Sequence, residues 1–327
     1  MKAASYLKNK YWELRADANT IGRRLQMQKG MLVNGILPGS HAADCIWKWE
    51  GSFSWLRLQA RRSGYTVATR ENLVGHKKSD TLFVLGSGPS VNSIDDSEWQ
   101  MIREHDSIGF NYFLAHPFVP TYYHMELLHA DMEMFRGCYS RRREAYRGVP
   151  FMMNYHFFKN DLLREDVEFI DNKLITVPRF YTDARPEDVE KIFHFLHDYV
   201  APGDDYFMLH YRGSLCLMIS LGVLLGYKKI VLVGIDLNNS GYFFCDDRYA
   251  CAATQALRDR RCMVNAETLA ATHATADPAF IPTTITIDRV LRLLDESLLK
   301  KRGVQLFVYS KASLLYPAIP AWHDHDR

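Results

Sequence analysis

The amino-acid sequence predicts an α/β protein built on a doubly wound, mostly parallel sheet. Short, continuous apolar runs at residues 81–85 and 229–236 are typical of strands that are buried on both faces. Two segments with a helical pattern, 214–225 and 285–301, are each followed by a glycine and then by an apolar run. Helices that alternate with strands in this way produce a parallel sheet with helices on both faces.

Residues 1–78 are predicted to form a helical extension that precedes an α/β domain of residues 79–327. The extension is rich in Lys, Arg and Trp, and its apolar residues recur with helical spacing. In one interpretation it is a basic amphipathic surface for anionic lipid or an acceptor glycolipid, with Trp47, Trp49 and Trp55 as interfacial anchors. In the other it is a helical buttress that packs on the main domain.

The α/β domain opens with three predicted strands. The first, Thr81–Leu85, runs directly into a glycine-rich turn. Residues 107–111 form the second, and Tyr122–Met125 a weaker third. The last helix, 285–301, is followed by Gly303 and a final strand at 304–309. Each strand therefore ends in polar residues or glycine, where ligands of open α/β sheets bind.

Composition excludes several classes of protein. The chain has 327 residues, of which 47% are hydrophobic and 24% charged, as in ordinary globular proteins. Its net charge of +2 removes the electrostatic case for a dedicated nucleic-acid binder. Six cysteines without a C-x-x-C pair favour a reduced, cytoplasmic setting. No apolar run is long enough to span a membrane, and no signal peptide is recognisable.

The loop after the first strand is the first candidate for ligand binding. Its glycines are expected to let the backbone approach a ligand, with free N–H groups facing a phosphate or sugar oxygen. It is neither a Walker loop nor a dinucleotide fingerprint, because the Gly-Lys-Ser/Thr and the third glycine are missing. A plain strand-to-helix turn would use similar residues. The candidates are Gly86, Ser87, Gly88 and Ser90.

Polar residues at the other strand ends extend this candidate site. Asn111 ends the second strand and can donate and accept hydrogen bonds, although a turn cap is the alternative. His124 and Glu126 belong to the third strand end and are interpreted as surface residues slightly more readily than as ligand contacts. The strongest strand ends at Gly234 and Asp236, before a polar loop at 238–242.

These segments, in this order, resemble the bacterial sialyltransferases of glycosyltransferase family 42 over residues 80–320. The family has a Gly-Asn-Gly-Pro-Ser loop, an asparagine followed by aromatics, a serine at a helix start, and a strand ending in Gly-Ile-Asp. The corresponding segments here are 86–90, 111–113, 212–214 with 225–228, and 234–236. A helical lid, at about 245–283 here, is followed in the family by a histidine that matches His273, and the final Ser-x-Leu segment recurs at 310–315.

The resemblance implies a Rossmann-like, GT-A-like sialyltransferase fold and a cytidine monophosphate (CMP) sugar donor. It implies inversion at the anomeric carbon and neither a metal ion nor another cofactor. The expected partners are a CMP-activated sialic or related ulosonic acid such as Kdo, and a glycan or glycolipid acceptor of lipopolysaccharide or capsule. A peripheral contact with the inner face of the bacterial inner membrane and a homo-oligomer are further expectations.

The residues implied to act on the reaction are His273 as the base, with Tyr242 and Arg212. A histidine suits the base because its ordinary pKa lies near the operating pH. A guanidinium can hold a carboxylate or phosphate in bidentate fashion. The residues implied to bind the donor are Gly86, Ser87, Gly88, Ser90, Asn111, Ser214, Gly234, Asp236 and Asn238.

The chain also departs from the family pattern. Ser87 stands where the family has a donor-binding asparagine, and Asn238 stands at the first of two tyrosine positions that bind the departing phosphate. His194, His197 and His210 suggest a metal site but lack the ligand pattern of zinc sites. The run at 141–143, three arginines, is interpreted as a solvated face.

Two other functions remain open on the sequence alone. A pterin pyrophosphokinase would share the first loop and the Gly-Ile-Asp strand, but it needs magnesium and ATP. The sequence lacks an obvious acidic cluster for such a metal beyond Asp236 with Asp246 and Asp247. The second alternative is a noncatalytic sugar-nucleotide-binding module of a polysaccharide assembly complex.

Overall fold

A computed structural model describes eight segments of the chain: residues 20–126, 129–154, 164–180, 184–199, 208–211, 213–262, 272–279 and 285–324. The prediction of a parallel α/β fold is confirmed. Seven parallel strands form one sheet in the order β5-β4-β3-β2-β1-β8-β9, and β6 and β7 form a separate parallel pair. The strands are β1 Thr81–Leu85, β2 Asp106–Phe110, β3 Tyr122–Met125, β4 Phe151–Asn154, β5 Lys173–Thr176, β6 Arg179–Phe180, β7 Leu209–His210, β8 Lys229–Val233 and β9 Gln305–Val308.

The order of the strands locates the ligand-binding edge of the sheet. From β1 the chain proceeds outward through β2 to β5, and it then returns to place β8 on the other side of β1. The direction of winding thus reverses between β1 and β8. In open α/β sheets such a reversal opens a crevice at the carboxyl ends of the strands.

Helices cover both faces of the sheet. They are α1 Thr20–Val33, α2 His41–Arg62, α3 Arg70–Val74, α4 Asp96–Glu104, α5 Met132–Arg141, α6 Arg143–Tyr146, α7 Pro186–Tyr199, α8 Ser214–Leu224, α9 Ala252–Arg261 and α10 Ile287–Leu294. Successive side chains of a strand point to opposite faces. Leu82 and Val84 therefore join the core under α7, α8 and α10, whereas Phe83 and Leu85 join the core under α4, α5 and α9.

Several predicted element ends differ from the structure. The strand predicted at 229–236 ends at Val233, because Gly234 and Leu237 adopt left-handed φ angles of 66° and 62° that leave the extended conformation. The helix predicted at 285–301 is α-helical only to Leu294. It continues as a π-helical turn, Asp295–Leu299, and a 3₁₀ turn, Lys300–Arg302.

Helices α1 to α3 of the predicted extension pack on the α/β core. Met27 and Met31 of α1 are buried in the same cluster as α7 and α8, and Trp47 and Trp49 pack against it while partly buried. Val67 forms a β-bridge with Ile175 at the edge of the sheet. This packing is the arrangement that the buttress interpretation expects. No described helix combines the length and the apolar character needed to cross a membrane.

The expectation of fully reduced cysteines is wrong for one pair. Cys245 and Cys262 form a disulfide across 17 residues, with 5.4 Å between their Cα atoms. The other four cysteines form no disulfide. This pair could not be predicted from the sequence, because the spacing of the two cysteines matches no motif. The fold brings the turn Phe243–Cys245 beside the end of α9.

Candidate functional site

A cleft of about 260 Å³ lies at the carboxyl ends of β1, β2 and β8, where the winding reverses. It is bounded by the segments that follow these strands, by the start of α8 and by residues 273–275. The lining residues are Ser87, Gly88, Phe110, Asn111, Tyr112, Gly213, Ser214, Leu215, Gly234, Ile235, Asp236, Leu237, Asn239, Gly241, Tyr242, His273, Thr275 and Ile287. Residues from distant parts of the sequence therefore meet in one place.

The glycines of the 86–90 loop allow two strand ends to approach each other. A Cβ at Gly86 would lie 2.7 Å from the carbonyl oxygen of Gly234, and a Cβ at Gly88 would lie 2.5 Å from Oδ2 of Asp236. The N–H groups of Gly86 and Gly88 donate to the carbonyls of Val233 and Gly234, at 2.8 Å each. The sequence predicts that free N–H groups of this loop face a ligand, but these two N–H groups face the segment after β8 instead. They join β1 to β8.

Asp236 fixes the same loop from the other side. Its carboxylate accepts a hydrogen bond from the backbone N–H of Ser90 at 2.9 Å, and its carbonyl accepts one from Leu314 at 2.8 Å. The hydroxyl of Ser313 donates to the carbonyl of Ile235 at 2.7 Å. The Ser-x-Leu segment thus holds the end of β8 in position. Gly86 and Ser90 support the cleft without lining it, and Ser87 lies on its wall.

We expect Gly88→Ala to destabilise the protein by about 1–3 kcal/mol and to weaken ligand binding in the cleft, because its Cβ would press on the Asp236 carboxylate and the Gly234 carbonyl. Urea unfolding and CMP titration measure the two effects. Gly148→Ala is the matched control, since a Cβ there meets nothing within 4 Å. Equal stability and affinity for both variants would contradict this role of Gly88.

The N-terminus of α8 supplies the cleft with backbone N–H groups that have no acceptor within the helix. Gly213 precedes the helix with φ 130°, a conformation that suits glycine, and it has no side chain to cap the first turn. Gly213, Ser214 and Leu215 all line the cleft. The first N–H groups of a helix and its dipole together favour an anion. This end of α8 is the part of the cleft that best suits a phosphate.

A buried polar network joins β2, β3 and α8 beneath the cleft. The Nδ2 of Asn111 donates to the hydroxyl of Ser214 at 3.2 Å, and Ser214 donates to a carboxylate oxygen of Glu126. The backbone N–H of Glu126 donates to the Oδ1 of Asn111 at 2.8 Å. The Nε2 of His210 lies 2.6 Å from the other carboxylate oxygen of Glu126. The side chain of Asn111 therefore connects the start of α8 to the end of β3, and the second N–H of its amide can bind a ligand.

Glu126 and His124 are buried, which corrects the preference for a surface position. The side chain of Glu126 is 6% exposed, and His124 is fully buried. Burial works to raise the pKa of Glu126, but the hydrogen bond and the charge of His210 outweigh it, so the pKa is lowered. Burial lowers the pKa of His124 to about 4. Near neutral pH the network thus holds an ionised Glu126 next to a neutral His124.

His273 lies on the wall of the cleft. Its backbone N–H donates to the carbonyl of Leu237 at 3.0 Å, which ties it to the segment after β8. Its Nδ1 lies 2.9 Å from the hydroxyl of Thr275. The backbone N–H of Thr275 also donates to Nδ1, at 3.4 Å, so in this arrangement Nδ1 carries the lone pair and Nε2 carries the proton. Burial, followed by the charge of Arg261, lowers the pKa of His273.

Tyr242 lines the cleft, and Arg261 contacts Tyr112, another lining residue. The ring of Tyr242 stacks on Phe244 at 5.0 Å and meets Tyr112 edge-on at 5.8 Å. Arg261 donates to the hydroxyl of Tyr112 at 3.2 Å, and this hydroxyl donates to Asp131 at 3.1 Å. Arg261 was missed in the sequence because it stands at the end of α9, 149 residues from Tyr112. Its charge nevertheless reaches His273.

Besides Gly86 and Ser90, two further predicted site residues are not among those that line the cleft. Asn238 is exposed and donates to the carbonyl of Ala312 at 2.5 Å, and its neighbour Asn239 lines the cleft instead. Arg212 lies outside the described residues, as do 263–271 and 280–284 of the predicted lid. The described part of that lid contains α9 and residues 272–279.

The aspartates and histidines that could form a metal site each interact with a different partner and not with one another. Asp246 pairs with Arg248 at 3.0 Å and Asp247 with Arg258 at 2.6 Å, whereas Asp236 holds the loop. His210 pairs with Glu126 and His197 with Asp198. Within the described segments, no group of three or more His, Cys, Asp or Glu residues is arranged to hold a metal ion.

No protein-family model matches the chain, and no curated protein shows significant sequence similarity to it. The functional argument therefore depends on the cleft.

Proposed function

We propose that this protein is an inverting, metal-independent glycosyltransferase. It would transfer a sialic acid or a related ulosonic acid such as Kdo from a CMP donor to a hydroxyl of a cell-surface glycan or glycolipid. The observation that carries the proposal is the meeting of Ser87, Asn111, Ser214, Tyr242 and His273 in one cleft at the switch point of the sheet. The acceptor belongs to lipopolysaccharide or capsule, and the reaction takes place in the cytoplasm at the inner membrane face.

The chemistry requires a base on one side of the sugar and an anion site on the other. In a direct displacement, the acceptor oxygen forms a bond to the anomeric carbon while the bond from that carbon to the phosphate oxygen breaks. The electron pair stays with the phosphate of CMP, and the acceptor proton passes to the imidazole of His273. Attack from the opposite side inverts the configuration at the anomeric carbon.

The start of α8 suits the departing phosphate. Backbone N–H groups at a helix N-terminus stabilise negative charge, and such fixed donors need no reorganisation during the reaction. Tyr242 on the wall offers an aromatic surface and a hydroxyl to the donor. His273 suits the base because its lowered pKa keeps the imidazole neutral at neutral pH.

The function is tested by incubating the full chain with CMP-sialic acid and with CMP-Kdo, each with and without a glycan acceptor, and measuring the CMP released. We expect release from at least one donor, unaffected by EDTA. A pterin pyrophosphokinase would instead need ATP and lose activity in EDTA, and a noncatalytic module would bind CMP without turnover. The proposal would be overturned if the protein hydrolysed neither donor and bound neither of the donors nor CMP.

The lowered pKa of His273 predicts the acid limb of the pH profile. A base is active when deprotonated, so kcat/KM should fall only as the pH drops through a midpoint below 6.5, the ordinary value for histidine. Arg261→Gln removes one cause of the lowering, and the midpoint should move to higher pH. Arg147→Gln is the control, because Arg147 pairs with Glu144 on an exposed surface. An unchanged midpoint in Arg261→Gln would exclude this coupling.

A further inference from the structure

A second cleft lies on the sheet face covered by α4, α5 and α9, and it shares no lining residue with the first. Its volume is about 560 Å³. It is bounded by α4, by the turn after β2, by the end of α5 and by residues 248–254. Four arginines and a single aspartate are the charged residues that line it: Arg103, Arg141, Arg142, Arg248 and Asp96.

Two of these arginines have charges that no described carboxylate neutralises. Arg103 places its guanidinium 5.0 Å from the ring centre of Phe118, and neither it nor the exposed Arg141 forms an ion pair within the described segments. Arg248 pairs with Asp246 at 3.0 Å. The cleft thus keeps an excess of positive charge, to which a multiply charged anion is attracted.

Arg142 corrects the interpretation of the 141–143 run as a solvated face. Its guanidinium turns inward and donates to the backbone carbonyls of Leu114 and His116. Arg143 pairs with Asp171 on the exterior. The three neighbouring arginines therefore serve three different purposes: Arg142 braces the turn after β2, Arg143 forms a surface ion pair, and Arg141 lines the cleft.

His116 provides a buried donor in the same cleft. It is 5% exposed, and its Nδ1 accepts a hydrogen bond from the backbone N–H of Phe118 at 3.1 Å. Burial and the charges of Arg142, Arg248 and Arg103 lower its pKa to about 3, so the ring is neutral and carries its proton on Nε2. Among the described residues, none accepts a hydrogen bond from this Nε2.

The remaining walls of the cleft are largely aromatic. Trp99 packs on His116 with 4.6 Å between ring centres and on Phe118 with 4.9 Å. Tyr249 lies 5.6 Å from His116 on another side. These rings offer apolar contact to the organic part of a ligand, while the arginines and His116 suit its charged end.

We propose that this cleft is a second binding site, for a small organic phosphate whose phosphate group is held by Arg103, Arg141 and the Nε2 of His116. It is separate from the proposed catalytic cleft and does not depend on the proposed function. The turn Asn111–Ala115 contributes to both clefts, through Asn111 and Tyr112 to the first and Ala115 to the second.

Cys251 gives a local probe of occupancy. It lines the second cleft, and it is the one free cysteine that is not buried. Burial works to raise its pKa, but hydrogen bonds from Thr254 and Ala253 and the charge of Arg141 outweigh this and lower it. A thiol with a lowered pKa reacts readily with iodoacetamide. The labelling rate at Cys251, followed by mass spectrometry, reports whether the cleft is filled.

The experiment titrates the full chain with phenyl phosphate and, separately, with inorganic phosphate, and measures the protection of Cys251. We expect both to slow labelling, with phenyl phosphate effective at a lower concentration because its ring contacts the aromatic wall. Arg103→Met with Arg141→Met should raise the protecting concentration at least about tenfold, as expected from the loss of charge-assisted hydrogen bonds. Arg147→Met, which lies outside the cleft, should leave the protecting concentration unchanged.

Protection is expressed relative to each variant's own rate without ligand, because Arg141 also affects the thiol. Thermal unfolding of the double variant checks that it folds, and substitution of two exposed arginines should leave it folded. No protection by phenyl phosphate, or equal protection in the double variant and the wild type, would overturn the second site. CMP release is a separate readout, so failure here leaves the proposed glycosyl transfer untouched.

Discussion

Substitution of His273 by alanine should lower the rate of sugar transfer by about 10²- to 10⁴-fold, the usual contribution of a general base. The affinity for CMP should remain close to that of the wild type, because the start of α8 and the 86–90 loop keep their positions. Initial rates of CMP release in the presence of acceptor measure the first effect, and calorimetric titration with CMP measures the second.

His194→Ala is the matched control for this substitution. His194 lies on α7, where it contacts Glu190 and Lys301, away from the cleft. Its loss should change the transfer rate less than twofold, within about 0.4 kcal/mol. Unchanged turnover in His273→Ala would remove His273 from the role of base, whereas loss of CMP binding together with turnover would indicate a structural role.

Substitution of Glu126 by alanine should destabilise the protein by about 3–5 kcal/mol, because it leaves His210 without its buried carboxylate partner. It also removes the acceptor of the Ser214 hydroxyl and so weakens the hydrogen-bonded connection between Asn111 and α8. CMP binding should therefore weaken in the fraction that remains folded. Urea unfolding and CMP titration of the same sample measure both effects.

Glu133→Ala is the control, because Glu133 is an exposed residue of α5. It should change the free energy of unfolding by no more than about 0.5 kcal/mol. The free energy of unfolding of Glu126→Gln should lie between those of Glu126→Ala and Glu133→Ala, since an amide retains one acceptor oxygen but loses the charge. Equal stability of Glu126→Ala and Glu133→Ala would show that the network contributes little.

Five of the nine described strands could be predicted, and β1 shows why, because its sequence directly reflects its burial. Leu82 and Val84 face one core and Phe83 and Leu85 face the other, so all four positions are apolar. The π-helical turn after Leu294 could not be predicted, because its residues continue the same helical pattern. There the backbone changes while Asp295 is buried against Lys300 at 2.8 Å.

The cleft could be located from the sequence, but the role of each residue could not. Residues after β1, β2 and β8 had to meet once the strands were parallel, and Ser87, Asn111 and Asp236 do meet. The pairing of Gly86 with Val233, and of Glu126 with His210, depends on the distance between loops. Nothing in the local sequence encodes that distance. The sequence alone therefore favours a surface position for Glu126.

The account depends on one claim, that the cleft at the start of α8 binds CMP. A crystal structure of the protein soaked with CMP tests it most directly. We expect the phosphate at the N–H groups of residues 213–215, with the nucleotide in contact with Ser87 or Asn111 and His273 on the wall of the same cleft. CMP bound elsewhere, or absent from this cleft at a concentration that saturates the protein in solution, would contradict the account.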